Sequence, residues 1–188
     1  MEYKTRKYPL FAACGLNCGL CPRYHTDSSS RCPGCAGKGF SEAHPSCGVL
    51  SCCQRKGIEY CFLCEEYPCK RYDGVDSFDS FITHKNQLRD LEKAKQMGIE
   101  VYKAELDEKV KALKKLLKNY NDGRRKSFFC LAVSLLELHD IKATMEQIAA
   151  ETKLESQLKT KAAIAVRCFE EKARAKDISL KLRKKTEV

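Results

Sequence analysis

The second half of the chain repeats apolar residues at helical steps. Tyr102, Leu106, Val110, Leu113, Leu117 and Tyr120 recur every third or fourth position, which lines one face of a helix over about 100–120. Lys103, Lys111, Lys114, Lys115 and Lys118 dress its other faces. Upstream, Asp76 or Ser77 caps a predicted helix that runs to Met97, with Gly98 as its stop. Asn121-Asp122-Gly123 reads as a turn. The stretch SFFCLAVSLLEL, residues 127–138, is apolar almost all round and predicts a buried central helix. Cys130 inside it, and Cys168 beside Val166 and Phe169, read as small core residues.

Over 144–185 the pattern changes again. Thr144 and Gln147 form a capping box for a short helix, a turn falls near Thr152-Lys153, and a second helix follows. Ile178, Leu180 and Leu182 alternate like a short strand. That order suits a winged helix-turn-helix, a nucleic-acid reader, but the turn lacks its usual glycine. Ala162, Ala163, Ile164 and Val166 suit packing instead.

The first half shows no such periodicity. Eleven of the 13 cysteines lie between Cys14 and Cys69, and 18/21, 32/35 and 61/64 are C-x2-C pairs. That spacing turns two thiolates toward one tetrahedral metal. Met1 to Ala13 is a poor signal peptide, its apolar run broken by Pro9, so a reducing cytoplasmic compartment is expected and disulfides are disfavoured. No run of 18 apolar residues offers a membrane span. A short helix is expected at 49–56, ended by Gly57. Phe11, Leu16, Leu20, Ile58, Phe62 and Leu63 are too few for a large core, so metal is expected to staple the segment.

The expected fold is therefore mainly α: an irregular, metal-stapled cysteine-rich module over 1–73, then a helical domain over 74–188 with a basic C-terminal tail.

Eleven cysteines are enough for two four-thiolate zinc sites, and an iron–sulfur cluster is the alternative. His25 and His44 sit in polar loops and are not needed as ligands. The spacing of Cys14, Cys18 and Cys21 in CGLNCGLC also matches the cluster motif of enzymes that cleave S-adenosylmethionine by radical chemistry. Leu20 stands where those enzymes place an aromatic, and no strand–helix alternation follows to build their barrel. Gly15 and Gly19 are read as letting the backbone turn tightly around the metal.

The chain carries 35 basic and 25 acidic residues, a net charge of +10. Two four-thiolate zinc ions, each formally −2, would neutralise the excess of the cysteine-rich half. Its basic residues are thus expected to stabilise thiolates rather than bind phosphate. Residues 172–188 hold much of the remaining excess. The run Gly123 to Ser127 places Arg124 and Arg125 just before the buried helix, a candidate anion site.

CGLNCGLCPRY, CPGC, CCQRKGIEYCFLCEEYPC and the later DGRRKSFFCLAVSLL together resemble the bacterial and archaeal family called domain of unknown function 3795. The resemblance is tightest over 14–69. It implies zinc binding without an assigned activity. It places Cys14, Cys18, Cys21, Cys32, Cys35, Cys47, Cys52, Cys61, Cys64 and Cys69 on the family's cysteine positions, with Cys53 as an extra.

No Ser-His-Asp set, phosphate-binding glycine loop or dinucleotide fingerprint is present, and Glu65-Glu66 is only a weak candidate base. The expected function is a structural zinc protein, with about two ions, that recognises a protein or small-molecule partner. A redox or enzymatic protein with an iron–sulfur cluster or an open zinc position is the second reading. Nucleic-acid binding through 144–185 is the third.

Overall fold

The computed structural model describes residues 3–155 and 157–185. In chain order its helices are α1 (Phe40–Ala43), α2 (Gly48–Arg55), α3 (Gln87–Met97), α4 (Ile99–Asn119), α5 (Lys126–Leu135), α6 (Leu138–Glu151) and α7 (Leu158–Ala175). Three 3-10 turns, Cys18–Leu20, Cys61–Leu63 and Lys70–Tyr72, punctuate the cysteine-rich segment. Among the described residues there is no strand, so the fold is mainly α.

Helix α4 is the axis. Tyr102, Leu106, Val110, Leu113 and Leu116 bury one stripe at helical spacing, while Leu117 and Tyr120 pack at its edge. Helix α5 is buried from Phe129 to Leu135; α7 packs on it with Ala165 and Phe169, and α6 packs on α4 and α7 with Ile141 and Ile148 buried. Cys130 and Cys168 lie in this core as small apolar residues. Phe11, Leu20, Leu50 and Tyr60 of the cysteine-rich segment belong to the same buried cluster. Gly98, at φ +88°, both ends α3 and starts α4, making a one-residue joint.

Three local expectations are corrected. Helix α3 starts at Gln87, not at Asp76 or Ser77, because Asp79 holds the preceding segment in turns. Its carboxylate accepts from His84 N at 2.7 Å and from Arg183 N at 2.7 Å. Thr144 is no cap: it lies inside α6, and its hydroxyl donates to Asp140 O at 2.8 Å. Ile178, Leu180 and Leu182 form no wing strand. Neighbouring carbonyls Ser179 O and Lys181 O accept from the Lys85 ammonium at 2.9 and 3.0 Å instead of from another strand.

Residues 178–185 are thus a strap over the start of α3, pinned where Arg183 Nη2 meets Asp79 Oδ1 at 2.9 Å and Asp79 N donates to Arg183 O. Burial alone would raise the Asp79 carboxyl, but the hydrogen bonds from Arg183 and His84 prevail and hold it at about 2. Asp79→Ala is expected to cost about 2 kcal/mol, since charge-assisted hydrogen bonds are lost and Arg183 is left unpaired. Urea unfolding measures the loss, and early proteolysis at Lys181–Lys185 reports the freed strap. An unchanged cleavage rate would refute the pinning.

Candidate metal centre

The three C-x2-C pairs meet on the segment that precedes them. Residues 9–13 act as a hub: Leu10 O accepts from Gly19 N at 2.9 Å, Pro9 O from Cys35 N at 2.8 Å, and Ala13 O from Cys61 N at 2.9 Å. Each bond belongs to a different pair. The hub is fixed by Phe11, fully buried between the rings of Tyr60 and Tyr102 at centroid distances of 5.4 and 4.6 Å. Gly34, at φ +86°, has no room for a side chain, because a Cβ would stand 2.5 Å from Pro9 O.

Two pairs share one local geometry. Cys18 to Cys21 and Cys61 to Cys64 are each a 3-10 turn in which the second cysteine's N–H donates to the first one's carbonyl, at 3.1 and 3.0 Å. Cys32 N donates to Arg23 O at 3.0 Å, which folds the 32/35 pair back on the first. Cys47 caps α2 through its sulfur, and Cys52 and Cys53 ride on that helix. Cys69 starts the turn at Lys70–Tyr72.

All thirteen cysteines are free thiols. Burial pushes the Cys14 thiol up to about 12 and Cys18 well above its ordinary value, with Cys35 adding repulsion to both. A hydrogen bond joins Cys53 Sγ and Cys61 Sγ at 3.5 Å, either sulfur able to donate; it lowers Cys61 and raises Cys53, so the pair gives up its first proton more readily than its second. Two sulfurs bound to one tetrahedral zinc at about 2.3 Å would stand about 3.8 Å apart, close to this separation.

Cations face these thiols. Arg6 is buried, its Nη1 donating to Phe11 O at 2.7 Å and its guanidinium 4.8 Å from the Tyr60 ring centroid. Its Nη2 stands 3.5 Å from Glu59 Oε1, and its charge offsets part of the burial that raises the Cys35 thiol. Lys56 Nζ lies 3.2 Å from Cys64 Sγ; Arg71 adds to the lowering of Cys61, whose largest cause is the hydrogen bond with Cys53, and Arg23 opposes in part the burial that raises Cys21. A buried guanidinium is costly unless anions face it, and Glu59 supplies one beside the thiols. Soft sulfur donors without disulfides, set among such cations, fit a thiolate-bound metal. Among the described residues, no three His, Cys, Asp or Glu side chains are assembled into one formed site.

The remaining candidates have other partners. His25 is half-buried with Nε2 2.8 Å from Gly19 O, and His44, also half-buried, stacks on Phe40 at 4.6 Å. Glu66 pairs with Lys56 at 2.7 Å, and Glu65 is exposed. Arg125 turns back to Asp122 at 3.6 Å, and Arg124 is exposed. The two glycines of CGLNCGLC serve helix docking: a Cβ on Gly15 would stand 2.4 Å from Gln87 O, and one on Gly19 2.9 Å from Val110 Cγ2. Sequence reasoning missed the hub and Arg6, whose signal was a buried-type aromatic, Phe11, just ahead of the first cysteine.

No curated protein and no solved structure matches the chain. Residues 10–74, which hold most of the hub and all eleven clustered cysteines, match the model of the family described as protein of unknown function, DUF3795.

Proposed function

We propose that the cysteine-rich segment is a structural zinc centre, holding about two ions, that fixes a recognition surface for a protein or small-molecule partner. The observation that carries this reading is the hub: three C-x2-C pairs tied to residues 9–13, with cations set beside their thiols. Cys14, Cys18, Cys21, Cys32, Cys35, Cys47, Cys52, Cys61, Cys64 and Cys69 would supply the ligands. The metal would cross-link turns that have neither strands nor long helices of their own. Free thiols throughout accord with a reducing, cytoplasmic setting. Arg167 on α7 is paired with Glu151 and Glu171, and Lys172 on α7 and Lys176 just past its end with Asp140, which supports packing over nucleic-acid contact for 144–185.

Elemental analysis of protein purified anaerobically, without a metal-binding tag, tests the reading. About two zinc ions per chain and a colourless solution are expected. Stoichiometric iron with a brown colour would replace zinc by an iron–sulfur cluster. A folded protein free of both metals would refute either form.

A further inference from the structure

Away from the thiols, a groove of about 540 Å³ opens between residues 24–31 and the C-terminal half of α4. That volume lies within the range of small-molecule sites. Arg31, Lys114, Lys118 and Lys126 line it, and Asp27 is its one carboxylate.

Among the described residues, the groove cations lack acidic partners. Arg31 Nε donates to Tyr24 O at 2.9 Å, and its guanidinium rests on the Tyr24 ring at 4.9 Å. Lys126 Nζ reaches only Thr26 Oγ1, at 3.3 Å. Lys114 and Lys118, one helical turn apart, make no ion pair among the described residues. Elsewhere on α4, Lys103 pairs with Glu100 and Lys111 with Glu108, both at 2.8 Å. Like charges one turn apart destabilise a helix, and nothing in the packing of these exposed lysines offsets that. His25, half-buried in the wall, is lowered by burial and then by Lys114, Arg31 and Lys126, so three of the four cations act on one point. Lys126 is also the first residue of α5, whose positive end adds to the field.

We propose that this groove binds a small molecule carrying a diphosphate. The four cations exceed Asp27 by three charges, which a diphosphate balances. Lys114, Lys118 and Lys126 lie on α4 and α5, outside the cysteine-rich segment, whereas Arg31 and Asp27 lie in the loop between the proposed ligands Cys21 and Cys32, so that wall of the groove rests on the metal reading.

Inorganic pyrophosphate and ADP, titrated calorimetrically into the full chain at about 0.1 M salt, test it. Saturable one-site binding of both is expected, with orthophosphate weaker. Lys114→Glu and Lys126→Glu are expected to weaken binding about tenfold each, the scale of one charge-assisted contact, without lowering the melting temperature. Lys95→Glu and Lys159→Glu, exposed and outside the groove, are the controls. Absence of saturable binding, or equal weakening by the controls, overturns the proposal. A single-stranded oligonucleotide that binds tighter than ADP, with affinity growing with length, also overturns it in favour of a polymer surface.

Discussion

Gly15→Ala is expected to cost about 4 kcal/mol of folding stability, whereas Gly123→Ala costs about 1 kcal/mol. Both glycines have left-handed backbone, at φ +93° and +90°, so both substitutions carry the same conformational penalty of about 1–2 kcal/mol. Only at Gly15 is space also lacking. A methyl group there would meet Gln87 O at 2.4 Å and Leu91 Cγ at 2.5 Å, whereas nothing lies within 4 Å of one at Gly123. The carbonyl belongs to the first turn of α3 and the leucine is fully buried, so neither yields without moving the helix. The substitution therefore pushes CGLNCGLC off α3 and strains the bond from Gln87 Nε2 to Cys14 O, 2.9 Å long. Urea midpoints of the two variants measure the difference. Equal costs would show that the close approach is not what fixes this residue.

Lys109→Met is the second large effect, a loss of about 3–4 kcal/mol. Lys109 is buried on α4 and donates to Leu136 O at 2.8 Å. It attracts Asp90, which is 5% exposed and accepts from Asn17 Nδ2 at 2.7 Å. Asn17 Oδ1 in turn accepts from Tyr102 OH at 3.0 Å, so a buried polar chain joins the cysteine-rich segment to α3 and α4. Methionine fills the volume but leaves Leu136 O unpaired and Asp90 with Arg89 as its remaining cation, 3.9 Å away, while Glu137 repels it.

The pH dependence has a definite sign. Burial raises Asp90 to about 6 despite Lys109, Arg89 and Asn17. A carboxyl raised in the folded state binds its proton more tightly there than in the unfolded chain. Its contribution to stability is therefore fully present below its unfolded value and is lost as pH rises toward 6. Removing Lys109 raises Asp90 further and lets it become neutral. The deficit of Lys109→Met should then be smaller at pH 5 than at pH 8. A deficit independent of pH would exclude Asp90 as the group left unbalanced.

Helices α4 and α5 were legible because each follows from its own apolar spacing, from Tyr102 to Leu116 and from Phe129 to Leu135. The start of α3 was not, since Asp79 looks like any loop acid until Arg183 returns from 104 positions later. Thr144 misled for a related reason: the capping pattern is local, but α6 begins at Leu138 and the hydroxyl satisfies itself on Asp140 O. For the candidate site, spacing identified the C-x2-C turns but not their common anchor. The anchor is made of backbone carbonyls at Pro9, Leu10 and Ala13, and a carbonyl has no letter in the sequence. Cys53 read as an extra, and only the turn after Gly57 brings its sulfur against Cys61. The sequence pointed to Arg124 and Arg125 as an anion site and not to the groove cations, because Lys114 and Lys126 come together only when α4 and α5 pack.

The hub also sets an order of events during synthesis. Residues 9–13 leave the ribosome well before the groups that lock them: Tyr102 stacks on Phe11 and, next to the hub, Asp107 accepts from Tyr8 OH at 2.8 Å. All eleven clustered thiols have therefore emerged before α4 exists to cover them. In that interval the nascent chain presents its full set of sulfurs to whatever metal ions or oxidants the compartment holds, and helix docking then seals in the result.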